Sequence, residues 1–324
     1  MTPSARPLLS PGEDHLAVDL SAVIVAVVAG QPLVRIVPGE ALPSGPLGET
    51  HPTLEQGLRA WVKAQSGLEL GYVEQLYTFA DRNRGQGGGP PNVRRISISY
   101  LALVPRDESH AGPDDPSWSP WYRYFPWEDR RGKTSNTLLT SLRSALKAWR
   151  EAAPTDDARA HRAERLAVAF PKDPKAWNAE MVLQRYELLW EAGLVDEGRG
   201  ERDQGSELAP QLGPRLGVAM AHDHRRILAT AMARLRAKIT YRPVVFELMP
   251  ERFTLLTLQT TVEALAGMTL HKQNFRRLVV DQGLVEPLPE QNHPNRGRPA
   301  RLFAFRRQVL RERAVAGTKL PRSG

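Results

Sequence analysis

Leu258-Gln-Thr-Thr-Val-Glu-Ala-Leu-Ala-Gly-Met-Thr-Leu-His-Lys-Gln-Asn-Phe-Arg-Arg-Leu-Val-Val-Asp-Gln-Gly283 contains two helical periods divided by a glycine. Leu258, Val262 and Leu265 share one face of a first helix, and Gly267 supplies a left-handed stop. Thr269 is the expected cap of a second helix, whose buried stripe is Phe275, Leu278 and Val279 and whose end is Gly283. Two helices and a three-residue turn predict a helix-turn-helix. Directly after it, Leu284 to Leu288 and Arg301 to Arg306 bracket the polar stretch Asn295-Arg-Gly-Arg-Pro-Ala300. That pattern reads as two strands around a long basic turn, a wing.

At about 100° per residue, the stripe on the second helix leaves Gln273 and Arg277 nearly opposite it and Lys272 and Arg276 on the flanks. The exposed face is built of donors. Arg can pair with guanine O6 and N7, Gln with adenine N6 and N7, and Lys with phosphate, so this chemistry suits a DNA groove. Arg296, Arg298 and Arg301 in the wing are spaced for backbone or minor-groove contact. A winged helix with a polar outer face also serves as a protein-docking module, which stands as a rival reading.

Charge follows the same division. Residues 236–324 carry 16 Lys and Arg against 7 Asp and Glu, whereas the preceding 235 residues carry 28 against 29. A basic segment joined to a neutral one suggests a polyanion reader attached to a module with another task. The chain has no cysteine, which excludes a disulfide framework, a thiolate nucleophile and a Cys-ligated zinc site. The longest apolar run, Leu16 to Ala29, is broken by Asp19 and Ser21 and is too short to span a bilayer; Glu13 and Asp14 precede it, unlike a signal peptide. The expectation is a cytoplasmic protein without membrane partners.

Upstream of the basic segment, residues 1–15 read as a flexible leader. Leu16 to Ala29 and Pro32 to Val37 predict a hairpin, and Thr53 to Gln65 a capped amphipathic helix carrying Leu54, Leu58, Trp61 and Val62, stopped by Gly67. Tyr72 to Phe79 and Arg94 to Val104 are strand-like, with a Gly/Pro loop at Gly85 to Pro91. After the aromatic cluster Trp118 to Trp127, helical periods take over at Thr137 to Glu151, Ala158 to Ala169, Lys175 to Ala192 and His222 to Ile239, with a flexible connection from Asp196 to Gly217. The fold class is therefore mixed α/β (α+β).

Other motifs fail on chemistry. Gly132-Lys-Thr134 lacks the earlier glycine of a phosphate loop, because Trp127 stands there, and Gly87-Gly-Gly89 lacks a strand-to-helix setting. His222 and His224 around Asp223 would diverge by about 200° on a helix, and no third metal ligand suggests itself.

The segment Leu58-Arg-Ala-Trp-Val-Lys-Ala-Gln-Ser-Gly-Leu68 between strand pairs resembles the helix of a Nudix box. Hydrolytic Nudix helices carry Arg-Glu and then a Glu pair before the glycine, carboxylates that hold Mg²⁺. Here the corresponding residues are Ala60 and Trp61, then Ala64 and Gln65, so neither a metal site nor a catalytic residue is expected. Together with Leu235-Arg-Ala-Lys-Ile-Thr-Tyr-Arg-Pro-Val-Val-Phe-Glu-Leu-Met-Pro-Glu-Arg-Phe-Thr254, Asn274-Phe-Arg276 and Gly297-Arg-Pro-Ala-Arg-Leu-Phe303, the chain resembles the Nudix-related transcriptional regulators of NAD metabolism, in their longer branch.

That resemblance implies a Nudix-like α/β/α sandwich over residues 16–240, with a helical insertion at about 129–221, and a winged helix over 241–324. It implies a homodimeric repressor of NAD biosynthesis genes on a palindromic double-stranded operator, reading DNA with Lys272, Gln273, Asn274, Arg276, Arg277, Arg296, Arg298 and Arg301. No cofactor is required. The effector would be an adenine nucleotide such as ADP-ribose, NAD or ATP. Arg35 and Arg95 offer charge for its phosphates, Tyr77, Phe79 and Tyr100 rings for stacking, and Asp81 a carboxylate, although such an alternation also suits a core. An active Nudix hydrolase, drawing on Glu69, Glu74 or Asp81, is the enzymatic rival.

Overall fold

The computed structural model describes residues 15–81, 93–105, 115–132, 134–199, 213–292 and 300–308. The expected leader to residue 14, the Gly/Pro loop at 85–91 and the wing arginines 296 and 298 lie outside the described residues. A six-stranded sheet is centred on the long strand β1 (His15–Val28). Its hairpin partner β2 (Gln31–Arg35) pairs Val25 with Val34 across a turn in which Ala29 and Gly30 both have positive φ, as a two-residue hairpin turn requires. β3 (Ser44–Pro46) pairs with the first half of β1 on that same edge. β5 (Val93–Leu103) runs parallel to β1 on the other edge, with β4 (Tyr72–Phe79) outermost, and β6 (Trp118–Pro120) extends β2.

Alternation along β1 sends Leu20, Ala22, Ile24 and Ala26 to one face and Val23 and Val25 to the other, all fully buried, so the sheet is covered on both sides. Helix α1 (Leu54–Ser66) covers the first face with Leu58 and Val62. It begins and ends as its sequence dictates: Thr53 accepts from the Gln56 amide, and Gly67 closes it in the left-handed region.

The second face is covered by α2 (Thr134–Glu151), α3 (Asp156–Ala169), α4 (Val182–Glu191), the short α5 (Asp196–Arg199) and the long α6 (His224–Tyr241). Two expectations are corrected here. The helix expected over Lys175 to Ala192 is a 3₁₀ turn, Pro174–Ala176, followed by α4, because Pro174 and the Asp173 cap start a turn that does not propagate. The connection expected from Asp196 to Gly217 contains α5 and a 3₁₀ turn, Gly213–Leu216, while residues 200–212 lie outside the described residues. Trp121, Tyr124, Phe125 and Trp127 are fully buried between sheet and helices, with Phe125 edge-on to Trp127 and Tyr186.

The C-terminal helices α7 (Leu255–Ala266) and α8 (Lys272–Asp281) precede the hairpin β7 (Val285–Asn292) and β8 (Ala300–Phe305). Phe246 stacks on Phe305 at 4.1 Å, and Phe253 bridges to Phe303, which fastens the wing to the helices. This domain packs directly on the first. Glu128, fully buried, accepts from Arg185 at 2.5 and 3.0 Å and from Arg236 at 2.6 Å. Arg236, on α6, also donates to the Leu265 carbonyl at 2.9 Å, and Arg130 donates its amide to the Gly267 carbonyl at 2.7 Å. Gly267 has φ of 70°, and a Cβ there would sit 2.3 Å from the Glu128 carbonyl oxygen, so this helix end admits only glycine.

Candidate effector cavity and nucleic-acid interface

The turn between α7 and α8 is held by one carboxylate. Glu263 accepts from the Leu270 amide at 2.8 Å and from the Gln259 side chain at 2.9 Å, fixing the angle at which α8 leaves. The N-cap of α8 is His271 rather than Thr269, and no side chain caps it. Val279 is buried and Phe275 half-buried, but Leu278 is 54% exposed, contrary to the expected stripe. It borders an apolar groove of about 800 Å³ between α8 and the end of α6, so the helix is supported along a narrower strip than its sequence suggests. The polar residues of α8 divide around this groove, with Asn274 and Arg277 among those that line it. Lys272, Gln273, Asn274 and Arg277 are exposed, Arg276 is half-buried, and Arg301 is exposed at the start of β8 with its guanidinium 6.0 Å from the Phe303 ring.

A second cavity, of about 160 Å³, lies where the sheet meets the start of α6. Asp19 and Ser21 on β1, Arg95 and Ser97 on β5, and Phe79 and Asp81 at the end of β4 form its sheet wall; His222, Asp223 and His224 form the opposite one. Arg95 donates to Asp19 at 2.8 Å, and Arg226, one turn into α6, reaches Asp81 at 2.5 Å and Glu187 at 2.7 Å with its guanidinium 5.1 Å from the Phe79 ring. The cavity thus mixes carboxylates for hydroxyl or amine donors, a guanidinium for an anion and one aromatic ring.

Three of the six residues expected at an effector site, Phe79, Asp81 and Arg95, are brought together here. The other three are not. Tyr77 is exposed at the rim against Phe79, ring centroids 5.0 Å apart. Tyr100 is buried on the face covered by α1, and Arg35 stacks on Trp118 at 5.8 Å beside Asp115. Sequence reading missed Asp19, Ser21, Ser97 and the His222–Asp223 pair, whose only signal was polarity inside otherwise apolar strands or before a helix. His222 and His224 do meet, with rings 5.5 Å apart, because His222 is not helical; among the described residues no three His, Asp or Glu are placed to hold a metal. His224 is buried and accepts from the Leu42 amide at 2.9 Å; burial, and then the neighbouring His222, push its pKa down to about 3.

The positions that bear carboxylates in hydrolytic Nudix helices do structural service. The Trp61 indole donates to the Pro46 carbonyl at 3.0 Å and lies over Gly45, where a Cβ would come within 2.3 Å of the ring. Gln65 pairs with the Ser44 backbone in both directions, at 2.7 and 3.0 Å. The carboxylates on which the hydrolase reading draws are each paired with a cation: Glu69 with Lys63, Glu74 with Lys238 and Asp81 with Arg226. These residues do not fit a magnesium site.

The molecule is thus a mixed α/β sandwich with a helical layer on its second face, joined through Arg236 and Arg130 to a C-terminal winged helix. Residues 245–305 match the family model of the NrtR DNA-binding winged helix domain. The ADPR responsive transcriptional repressor NtrR of Acinetobacter baylyi is 32% identical over 136 residues, covering 41% of this chain; the chain spans about half, 51%, of that relative's length. Shewanella oneidensis NrtR shares the fold across the whole molecule. Its crystal structure complexed with a 27mer DNA is similar with a TM-score of 0.51 at 18% identity, covering 90% of this chain and 94% of that one, and a second crystal structure of the same protein gives 0.50 at 18%, covering 89% and 93%. The expected resemblance therefore holds in the winged helix by sequence and in the whole by fold.

Proposed function

We propose that the chain is a repressor that reads double-stranded DNA with α8 and the wing and senses an adenine nucleotide in the cavity beside α6. The observation that carries this reading is α6 itself: its first turn walls the cavity, and its Arg236 is bonded to the last turn of α7. Gln273, Arg276 and Arg277 are assigned to bases, with Lys272, Asn274, Arg301 and the wing arginines 296 and 298 on the backbone or minor groove. A symmetric dimer would set two such helices about 34 Å apart on a palindromic operator of NAD biosynthesis genes.

ADP-ribose is the effector of choice, because the Acinetobacter baylyi relative is described as ADPR responsive; NAD and ATP are the comparison ligands. Arg95 would receive a phosphate, Asp19 and Asp81 ribose hydroxyls, and Phe79 the base. We assign domain limits of 16–240 and 241–324, a division supported by the end of α6 near that point, at Tyr241. We place the protein in the cytoplasm, where its DNA and nucleotide are found; no helix among the described residues is long and apolar enough to cross a membrane. The chain is not an enzyme in this reading, since Trp61 and Gln65 strap α1 to β3 where a metal would be held.

The test is operator binding by fluorescence anisotropy, on a duplex selected from a random pool, with ADP-ribose, NAD or ATP added. A change in affinity of fivefold or more with one of them supports the assignment. Tight operator binding that none of the three alters removes the sensing half, and no selectable duplex removes the whole.

A further inference from the structure

The effector cavity is too small as it stands. At about 160 Å³ it falls well below the roughly 300–1,000 Å³ typical of pockets that enclose ligands of this kind, so a dinucleotide-sized guest enters only if a wall yields. Most of the wall is hydrogen-bonded sheet, and β1 is paired along both edges. The remaining part is the turn before α6 with the first turn of that helix, and of these the turn is the part not held by helical hydrogen bonds.

That turn is strained. His222 (φ 56°, ψ 33°) and Asp223 (φ 59°, ψ 18°) are consecutive non-glycine residues in the left-handed region, which L side chains disfavour. Contacts on every side hold them there. The Ala221 amide donates to the Glu40 carbonyl at 3.1 Å, His224 receives the Leu42 amide, and Arg226 lies 3.5 Å from Asp223 while gripping Asp81 and Glu187. Arg226 therefore spans the two sides of the cavity mouth, strand β4 on one and the turn on the other.

We infer that the His222–Asp223 turn is a spring-loaded gate on the effector cavity, latched by Arg226 and released when a phosphate-bearing nucleotide takes that guanidinium from Asp81 and Asp223. The inference rests on the proposed effector reading and adds its regulation. Once the latch is drawn away, the turn leaves the left-handed region, the first turn of α6 shifts, and Arg236 carries the displacement to Leu265. The stored strain offsets part of the cost of opening.

The test compares His222→Gly with His222→Ala in the full-length chain. Both remove an exposed imidazole, but only glycine tolerates the left-handed conformation without penalty. Relieving the strain steadies the closed gate, so His222→Gly should bind ADP-ribose about five- to tenfold more weakly than His222→Ala by calorimetry. In the wild-type chain, saturating ADP-ribose should speed hydrogen exchange of the Leu42 amide at least tenfold. Equal ADP-ribose affinities for the two variants, or an unchanged Leu42 amide in a chain that does bind ADP-ribose, overturns the gate and leaves the effector assignment standing. A wild-type chain that binds neither ADP-ribose, NAD nor ATP overturns both, and the wild-type titration alone reveals it.

Discussion

The Tyr122 hydroxyl donates to the Ala264 carbonyl at 2.6 Å, joining the buried aromatic segment of the sheet domain to the last turn of α7. Burial raises the Tyr122 pKa, so the phenol remains a donor throughout the physiological range. Tyr122→Phe leaves that carbonyl without its side-chain donor and should lower stability by about 1–2 kcal/mol in urea titration. It should also loosen the reading domain, so the loss of operator affinity in the variant should exceed that of a surface substitution such as Arg159→Ala.

Glu128 answers two buried guanidiniums, Arg185 and Arg236. Burial alone would push its pKa up, but the two cations and their hydrogen bonds outweigh that and hold it below the usual carboxylate range. A depressed carboxylate contributes stability above its unfolded pKa, near 4.3, and loses that contribution as pH falls through its lower folded value. Glu128→Gln should therefore cost about 3–5 kcal/mol at pH 7 and cost less in acid, as differential scanning fluorimetry across pH 3–7 would reveal.

His224 gives the opposite pH dependence to a salt-bridged histidine. Its folded pKa of about 3 lies far below the unfolded value near 6.5, so the unfolded chain binds the extra proton between those limits. Stability should fall as pH drops from 6.5 toward 3, at up to about 1.4 kcal/mol per pH unit from this residue. His224→Gln, which keeps an acceptor for the Leu42 amide, should flatten that slope; an unchanged slope contradicts the burial seen here.

On DNA, Arg277→Ala should cost about 1–3 kcal/mol and relax preference at one base pair, whereas Arg301→Ala should weaken all duplexes alike. Log affinity should fall linearly with log salt, by about 0.9 for each phosphate neutralised. A shallow slope, with neither substitution felt, favours a protein partner on this face.

Incubation of ADP-ribose with Mg²⁺ should yield no AMP above the uncatalysed background. Turnover abolished by substituting Glu69, Glu74 or Asp81 would restore the hydrolase reading.

Local chemistry made much of this legible. The hairpin turn at Ala29 and Gly30, the Thr53 cap and the glycines at 67 and 267 act within a few residues of where they are written, and each sits where periodicity placed it. Partnerships across the fold were not legible. Nothing in the spacing of Glu128, Arg185 and Arg236 says that residues 57 and 108 positions apart will meet in a dry interior. The residues expected at an effector site divided for a related reason. Strand alternation tells which side chains share a face, and Tyr100 shares its face with α1, but only the tertiary fold tells which face closes over a cavity. Leu278 was misassigned because periodicity marks the apolar side of a helix but not whether a neighbour covers it, and the His222–Asp223 turn because a strained turn directly before a helix reads as part of it.

The buried Glu128 cluster has a practical corollary for anyone splicing sensors to readers. One anion secures cations from α4 and from α6, so the helical layer over the second face is structural mortar and not removable ornament. A chimera that transplants the winged helix with α6 but omits Glu128 would leave the buried Arg236 without its counter-ion at the seam. Portability of this module ends at that carboxylate.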